Sequence, residues 1–293
     1  MTMIDEALVS IGVPTYNRPD GLRKALLSIT RQTYRNIEVI VSDNCSTVGD
    51  MSWVEKDFCE ADPRVKFFRQ KENKGPTHNF HFVLESASGN YFIWAADDDL
   101  WQTEDFLAKL VEHAAENILT FPDAVLDIGR QMYEYPLQTY ENCRDKLDYS
   151  RVFCSSGEGY PFYGLYNLRL FYQAGLAFTF DTDLKYYGEG TFLHKLFLAG
   201  PVKYVKESKI LYSVASVKPS YEMLLDNFFE YFRRTILIYS TSDLTTEEKT
   251  DLIDRVFNNY TSHIRTLLAR QQSTIPFKRR MNKVVKILVK GRI

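Results

Sequence analysis

The sequence is poor in several things at once. No acidic residue follows Asp254, cysteine occurs only four times, and no apolar run approaches a membrane span. A span needs roughly 20 apolar residues, so an integral membrane protein is not expected. Cys45, Cys59, Cys143 and Cys154 form no Cys-x-x-Cys pair and no Cys/His ligand spacing. That argues against a zinc ribbon or a disulfide framework and for free thiols in a reducing compartment. No Gly-x-Gly-x-x-Gly follows the first apolar stretch, so dinucleotide binding lacks its main requirement. No leader-like segment precedes that stretch, and a cytoplasmic chain is expected.

What is present is ordinary for a globular α/β protein: 293 residues, 45% hydrophobic, 25% charged. Tyrosine (19) and phenylalanine (20) are abundant, which suits stacking on carbohydrate as well as simple packing. The net charge of −2 hides an asymmetry. Ten of the 36 basic residues follow Asp254, leaving 26 against 38 acidic ones, a net −12 for the remainder. An acidic body without a recognition motif speaks against nucleic acid as a partner.

Apolar stretches at 7–16, 37–43, 65–70 and 91–96 read as strands. Helical spacing at 19–33, around 51–60 and at 78–87 separates them. This β-α-β-α-β-α-β order predicts a Rossmann-like, mostly parallel sheet flanked by helices. Further helices are expected at 103–116 (capped by Thr103), 189–199, 221–240 and from Thr245, with a capping box to Glu248. A strand is expected at 203–214, and a loop over a site at 155–166. Residues 1–215 read as a catalytic domain with halves 1–102 and 103–215. Residues 216–293 read as a C-terminal helical region.

Sheets of this kind bind ligands at the carboxyl ends of their strands. Three strand ends here carry polar groups: Pro14-Thr15-Tyr16-Asn17, Asp43-Asn44 and Asp97-Asp98-Asp99. Three adjacent carboxylates after a buried strand repel one another and need a cation. Hard oxygens suit Mg²⁺ or Mn²⁺ held against a diphosphate, and an acidic turn is the plainer alternative. Asp43 suits the N3–H of a uracil or thymine ring, or an Asx turn; Tyr16 suits stacking on the base.

The stretches VSIGVPTYNRPDGLRKALLSITRQTYRNIEVIVSDNCS (9–46), NKGPTHNF (73–80) and SGNYFIWAADDDLW (88–101) resemble glycosyltransferase family 2, with its GT-A fold. Residues 162–171 and 186–207 resemble the family's acceptor half more loosely. The resemblance implies an inverting, metal-dependent transfer of sugar from a nucleotide diphosphate to a glycan or lipid-linked glycan. Carried over by position, Pro14, Thr15, Tyr16, Asn17, Asp43, His78, Asn79 and Asp97 would contact the donor nucleotide. Asp98 and Asp99 would hold Mn²⁺ or Mg²⁺. Family members place a catalytic carboxylate before an acceptor-side helix, often as Glu-Asp or Gly-Asp. Here the match is Gly188-Glu189-Gly190, which leaves Glu189 as the candidate general base, with Asp181 and Asp183 in reserve. A glutamate at a helix N-terminus also has a purely structural reading.

Trp101, Tyr160 and Tyr163 are acceptor-side candidates, and Trp101 equally suits packing beneath the carboxylates. His113 and His194 each stand alone on an expected helix, where packing or a hydrogen bond is expected before a metal. The tail IPFKRRMNKVVKILVKGRI reads either as an interfacial helix on an anionic membrane surface or as a helix docked on the acidic body. Two other functions fit parts of the pattern: a nucleotidyltransferase, and a catalytically degenerate sugar-nucleotide or glycan-binding module. The sequence leaves the oligomeric state open.

Overall fold

A computed structural model describes residues 7–127, 132–134, 137–157, 159–179, 188–213 and 221–270. The first strand, β1 (Val9–Thr15), is buried at every residue, as is β2 (Ile37–Asp43). Strands buried on both faces read as near-continuous apolar runs, here with polar Ser10, Thr15, Glu38, Ser42 and Asp43 confined near their ends, and the two-sided cover comes from helices at crossovers. Helix α1 (Pro19–Thr30) starts on a proline and buries Leu22, Ala25, Leu26 and Ile29. Strand β3 (Val65–Arg69), helix α2 (Pro76–Glu85) and strand β4 (Tyr91–Trp94) complete a parallel β3-β2-β1-β4 unit. Its register sets Thr15 opposite Asp43, so these two strand ends open side by side.

The second half extends the same sheet. Its elements are β5 (Leu100–Trp101), α3 (Phe106–Val111), β6 (Leu119–Asp127), β7 (Met132–Glu134), α4 (Lys146–Ser156), β8 (Leu165–Asn167), α5 (Leu168–Gln173), α6 (Gly188–Ala199) and β9 (Val202–Ser213). The order runs on as β8-β6-β9-β5, with β7 on β6. The long strands β1, β2, β3, β4, β6 and β9 point one way, and the short β5, β7 and β8 run against them. The expected mostly parallel α/β sheet is therefore present. Helices α7 (Tyr221–Ser240) and α8 (Thr246–Arg270) pack with α4 and α6 around Cys154, Phe232, Tyr239, Leu252 and Val256. The expected capping box opens α8: Thr245 N donates to Glu248 Oε2 at 2.8 Å, and Glu248 N to Thr245 Oγ1 at 3.3 Å.

Two local expectations are corrected. The helix expected over 103–116 is only Phe106–Val111, and Thr103 does not cap it. Gln32, at the end of α1, does that from a distance: its Oε1 accepts from Leu107 N and its Nε2 donates to the Thr103 carbonyl, both at 2.9 Å. A tertiary cap leaves no local sequence pattern. The loop expected at 155–166 is largely regular. Gly157 closes α4 in the left-handed conformation (φ 70°), a short 3-10 helix covers Tyr160–Tyr163, and β8 follows. The proposed boundary at 215/216, the tail 271–293 and the reserve residues Asp181 and Asp183 lie outside the described residues.

At the amino end of the sheet, Glu38 ties β2 to its neighbours. It accepts from Ser10 Oγ (2.6 Å), Ser88 N (2.7 Å), Ser88 Oγ (2.7 Å) and Lys66 Nζ (2.8 Å). Burial opposes its charge, but Lys66 and the serine donors outweigh burial and hold its pKa at about 2. A carboxylate depressed in this way stabilises the fold above its unfolded value and loses that contribution as pH falls. Stability in urea should therefore decline from the ordinary glutamate range down towards pH 2. Glu38→Gln should flatten that part of the curve and cost about 1–3 kcal/mol at neutral pH. An unchanged pH profile in the variant would remove Glu38 from this role.

Candidate active site

The carboxyl ends of β1 and β4 border a cleft of about 650 Å³. Pro14, Thr15, Tyr16, Arg18, Asn79, Asp97, Asp98 and Tyr163 line it, along with Asn44, Asn73, Gly75, Pro76, Phe80 and Ala96. The wall is anchored from below by Trp94, which stacks on Phe162 (4.7 Å between rings) and donates to the Phe80 carbonyl at 3.3 Å. Ala95 N then bonds Gly12 O at 2.9 Å, so the three carboxylates begin from a fixed backbone.

The triplet divides by environment. Asp97 turns towards β1, accepting from Thr15 Oγ1 at 2.7 Å and Tyr16 N at 3.4 Å. Burial raises its pKa against those bonds and the nearby Arg18 charge. Asp98 reaches the cleft and pairs with Arg18 Nη1, which also lies 3.4 Å from Asp97 Oδ1. Asp99 is buried away from the lining. Burial and the Asp98 charge push its pKa well up, opposed by a hydrogen bond from the Ser213 amide. Asp97 and Asp98 thus meet at the cleft and Asp99 does not join them there. Among the described residues no three His, Cys, Asp or Glu side chains group as a metal ligand set. The Asp98 carboxylate is a hard donor open to the cleft, so the residues fit a cation whose other ligands come from a diphosphate.

The remaining donor candidates separate as well. Asn79 is buried on α2 and joins the strand ends. Its Oδ1 accepts from Ser42 Oγ (2.6 Å), and its Nδ2 donates to Ser42 O (2.9 Å) and Thr15 O (3.3 Å). Asn44 fixes the turn before α2 through Asn73 Oδ1 (2.9 Å) and Gly75 O (3.1 Å). Asn17 adopts φ 57° and accepts from Thr47 N (2.7 Å) and Val48 N (3.0 Å), so its side chain braces a loop. Asp43 realises the Asx-type turn through Ser46 N (2.9 Å). Its other oxygen is buried, faces Arg69 Nε at 3.5 Å and makes no hydrogen bond among the described residues. His78 is half-buried on α2, outside the lining.

Glu189 opens α6, half-buried, with its Oε1 3.2 Å from where a Cβ on Gly159 would stand. Burial raises its pKa, with its own backbone amide opposing. Tyr163 lines the cleft and feels the charge of both acidic regions. Burial and the charges of Asp99, Glu189, Asp98 and Asp97 push its hydroxyl well above a tyrosine's usual value. Tyr160 instead packs on Tyr212 (4.6 Å), and Trp101 is buried against Phe106 (4.6 Å), which is its packing reading. His194 is a core residue, its ring nitrogens 2.5 Å from Tyr239 Oη and 2.9 Å from Tyr231 Oη, and burial lowers its pKa to about 3. His113 is exposed in the turn beyond α3.

Sequence reasoning expected a cation at the triplet but overlooked Arg18, two residues beyond Tyr16. It also left Gly190 unexplained. A Cβ there would stand 2.8 Å from Tyr231 Cε2, so the ring of Tyr231 occupies the space beside Glu189. Gly190→Ala should destabilise the chain by about 1–3 kcal/mol in denaturant unfolding, the usual cost of overpacking. No loss would mean that the Tyr231 ring gives way freely.

Residues 10–173 match the sequence model described as glycosyl transferase family 2. Among curated relatives, the glycosyltransferase GlyA of Streptococcus pneumoniae serotype 4 is 36% identical over 118 residues, 39% of this chain and 16% of that protein. The GalNAc(5)-diNAcBac-PP-undecaprenol beta-1,3-glucosyltransferase of Campylobacter jejuni is 38% identical over 92 residues, 31% of this chain and 29% of that protein. The matches thus span less than a third of either relative. The S. aureus TarS 1–349 structure has a TM-score of 0.69 at 20% identity, over 89% of this chain and 73% of that one. The Pyrobaculum calidifontis mannosyltransferase PcManGT, in complex with GDP-Man and Mn²⁺, gives 0.58 at 18% identity, over 97% and 80%. These similarities establish the GT-A fold, and with more than half of its length matched the chain belongs to glycosyl transferase family 2.

Proposed function

We propose that the protein moves a sugar from a UDP- or dTDP-sugar to a hydroxyl of a glycan or lipid-linked glycan, in the synthesis of a bacterial surface polysaccharide. The observation that carries this reading is that Asp97 and Asp98 line one cleft with Tyr163, whose hydroxyl feels their charges and that of Glu189, although Glu189 itself is not in the lining. The unbonded Asp43 oxygen beside Thr15 supports a pyrimidine N3–H there, although Asp43 itself does not line the cleft. A TarS structure in complex with UDP, and the lipid-linked acceptor in the name of the Campylobacter jejuni relative, support the donor and acceptor classes.

In this mechanism the Glu189 carboxylate takes the proton of the acceptor hydroxyl as that oxygen forms its bond to the anomeric carbon. The bond from that carbon to the diphosphate breaks on the opposite side, and the diphosphate leaves with the electron pair. Asp98 would hold Mn²⁺ or Mg²⁺, which when bound supplies positive charge to the leaving diphosphate. Thr15 and the Tyr16 amide keep Asp97 fixed at the cleft edge. Half-burial of Glu189 brings its pKa closer to working pH, which favours a base.

Calorimetry against UDP, dTDP, GDP and CDP, each with and without Mn²⁺, tests the donor site. UDP or dTDP should bind with Mn²⁺ and fail to bind Asp98→Ala; absence of all nucleotide binding would overturn the assignment. Glu189→Gln should keep nucleotide binding and lower kcat by about 10²- to 10⁴-fold. Because a base acts deprotonated, the acid limb of kcat/KM should lie above the range of a free glutamate and vanish in this variant. Nucleotide binding without turnover of any sugar donor in the unaltered protein would favour the binding-module reading.

A further inference from the structure

One side chain of the cleft takes no part in that mechanism. Arg18 stands just before α1 and lines the cleft with its side chain 46% exposed. A Cβ on Gly21 in the first turn of α1 would collide with the Asp97 carbonyl oxygen, so helix and carboxylate turn pack closely.

Its two partners depend on it unequally. Asp97 has Thr15 Oγ1 and Tyr16 N, and Arg18 approaches it only to 3.4 Å. Asp98, 29% exposed, has Arg18 as its one hydrogen-bond or ion-pair partner among the described residues. Burial disfavours the guanidinium charge, while Asp98 and Asp97 outweigh it and keep it strongly basic. The guanidinium therefore engages the carboxylate that a divalent ion on Asp98 would also need.

We propose that Arg18 is an exchangeable counter-ion. In the free protein it holds the cation position at Asp98; when donor and divalent ion enter together, it turns onto the diphosphate oxygens. This rests on the reading of the cleft as a donor site. Three reasons support exchange. A partly exposed ion pair is weak and easily opened. The guanidinium fork matches two phosphate oxygens. Adding a diphosphate beside Asp97 and Asp98 brings more negative charge than one guanidinium balances, so a second cation is needed at Asp98 as Arg18 leaves. Coupling of this kind is reciprocal: the nucleotide must strengthen binding of the metal by the factor by which the metal strengthens binding of the nucleotide.

The test is binding, read by the paramagnetic resonance of free Mn²⁺ and by calorimetry with UDP. The unaltered protein should bind Mn²⁺ weakly alone and much more tightly with UDP. Arg18→Gln should bind Mn²⁺ alone about tenfold more tightly, yet bind UDP in saturating Mn²⁺ about tenfold more weakly. Arg18→Lys should fall between, and the gain for Mn²⁺ should vanish in Arg18→Gln/Asp98→Ala. Unchanged or weaker binding of Mn²⁺ alone by Arg18→Gln, in protein whose melting temperature is preserved, would overturn the exchange even if UDP binding fell. Failure of the unaltered protein to bind UDP, dTDP, GDP or CDP under any condition would overturn the donor-site reading itself, and this inference with it; where dTDP binds and UDP does not, the same titrations are read with dTDP.

Discussion

The organisation of the cleft turns on the repulsion among Asp97, Asp98 and Asp99. Three carboxylates on consecutive residues cannot share one environment and all remain charged at low cost. The fold separates them. Asp97 is drawn onto β1 by Thr15 and Tyr16, Asp98 is left at the cleft against Arg18, and Asp99 is buried behind, under the Ser213 amide. Each solution recruits a different part of the sheet: the end of β1, the start of α1 and the end of β9. The chemistry of the cleft and the joining of the sheet's two halves are thus solved by the same turn.

That turn also explains the firmness of its surroundings. It needs a base that does not yield, and Trp94 supplies one through Phe162 and the Phe80 carbonyl. Asn79 holds the ends of β1 and β2 at a fixed separation by engaging Ser42 and Thr15 together. An amide whose donor and acceptor groups bond in several directions is hard to replace, because removing it leaves buried backbone carbonyls short of partners. Asn79 thus holds the shape of the cleft that it also lines, while Asp98 on the same cleft has a single partner in Arg18 among the described residues.

This division marks what was legible in the sequence. The parallel β1-β2-β3-β4 half could be read because its apolar strands, helical spacing and strand-end polar groups follow local periodicities. Thr15, Tyr16, Asp97 and Asp98 were candidates for the same reason, as polar residues where buried strands stop, whereas Asn79 came only from the family resemblance. Asn17 and Trp101 were picked out by position too, but their hydrogen bonds and packing are tertiary and tie them to a loop and to Phe106. Gln32 capping α3 across 75 residues, and the short β8 and α5, carry no periodic pattern of their own. Arg18 was in view within PTYNRPDG, but nothing local tells which of many surface arginines faces a carboxylate 80 residues away.

The C-terminal helices belong in the same argument. Gly190 follows the candidate base, and its missing side chain admits the ring of Tyr231 from α7. The Tyr231 hydroxyl meets His194, one turn further along α6, and His194 meets Tyr239, which in turn meets Cys154 on α4. A neutral imidazole can donate through one nitrogen and accept through the other, so it joins both hydroxyls without a buried charge. The helix that presents Glu189 is therefore clamped by α4, from within the sheet's second half, and by α7, which follows β9. A glutamate on a helix end held at one face only would move with that helix. Here α7 and α4 fix its far side, and the region beyond β9 becomes part of what positions the base.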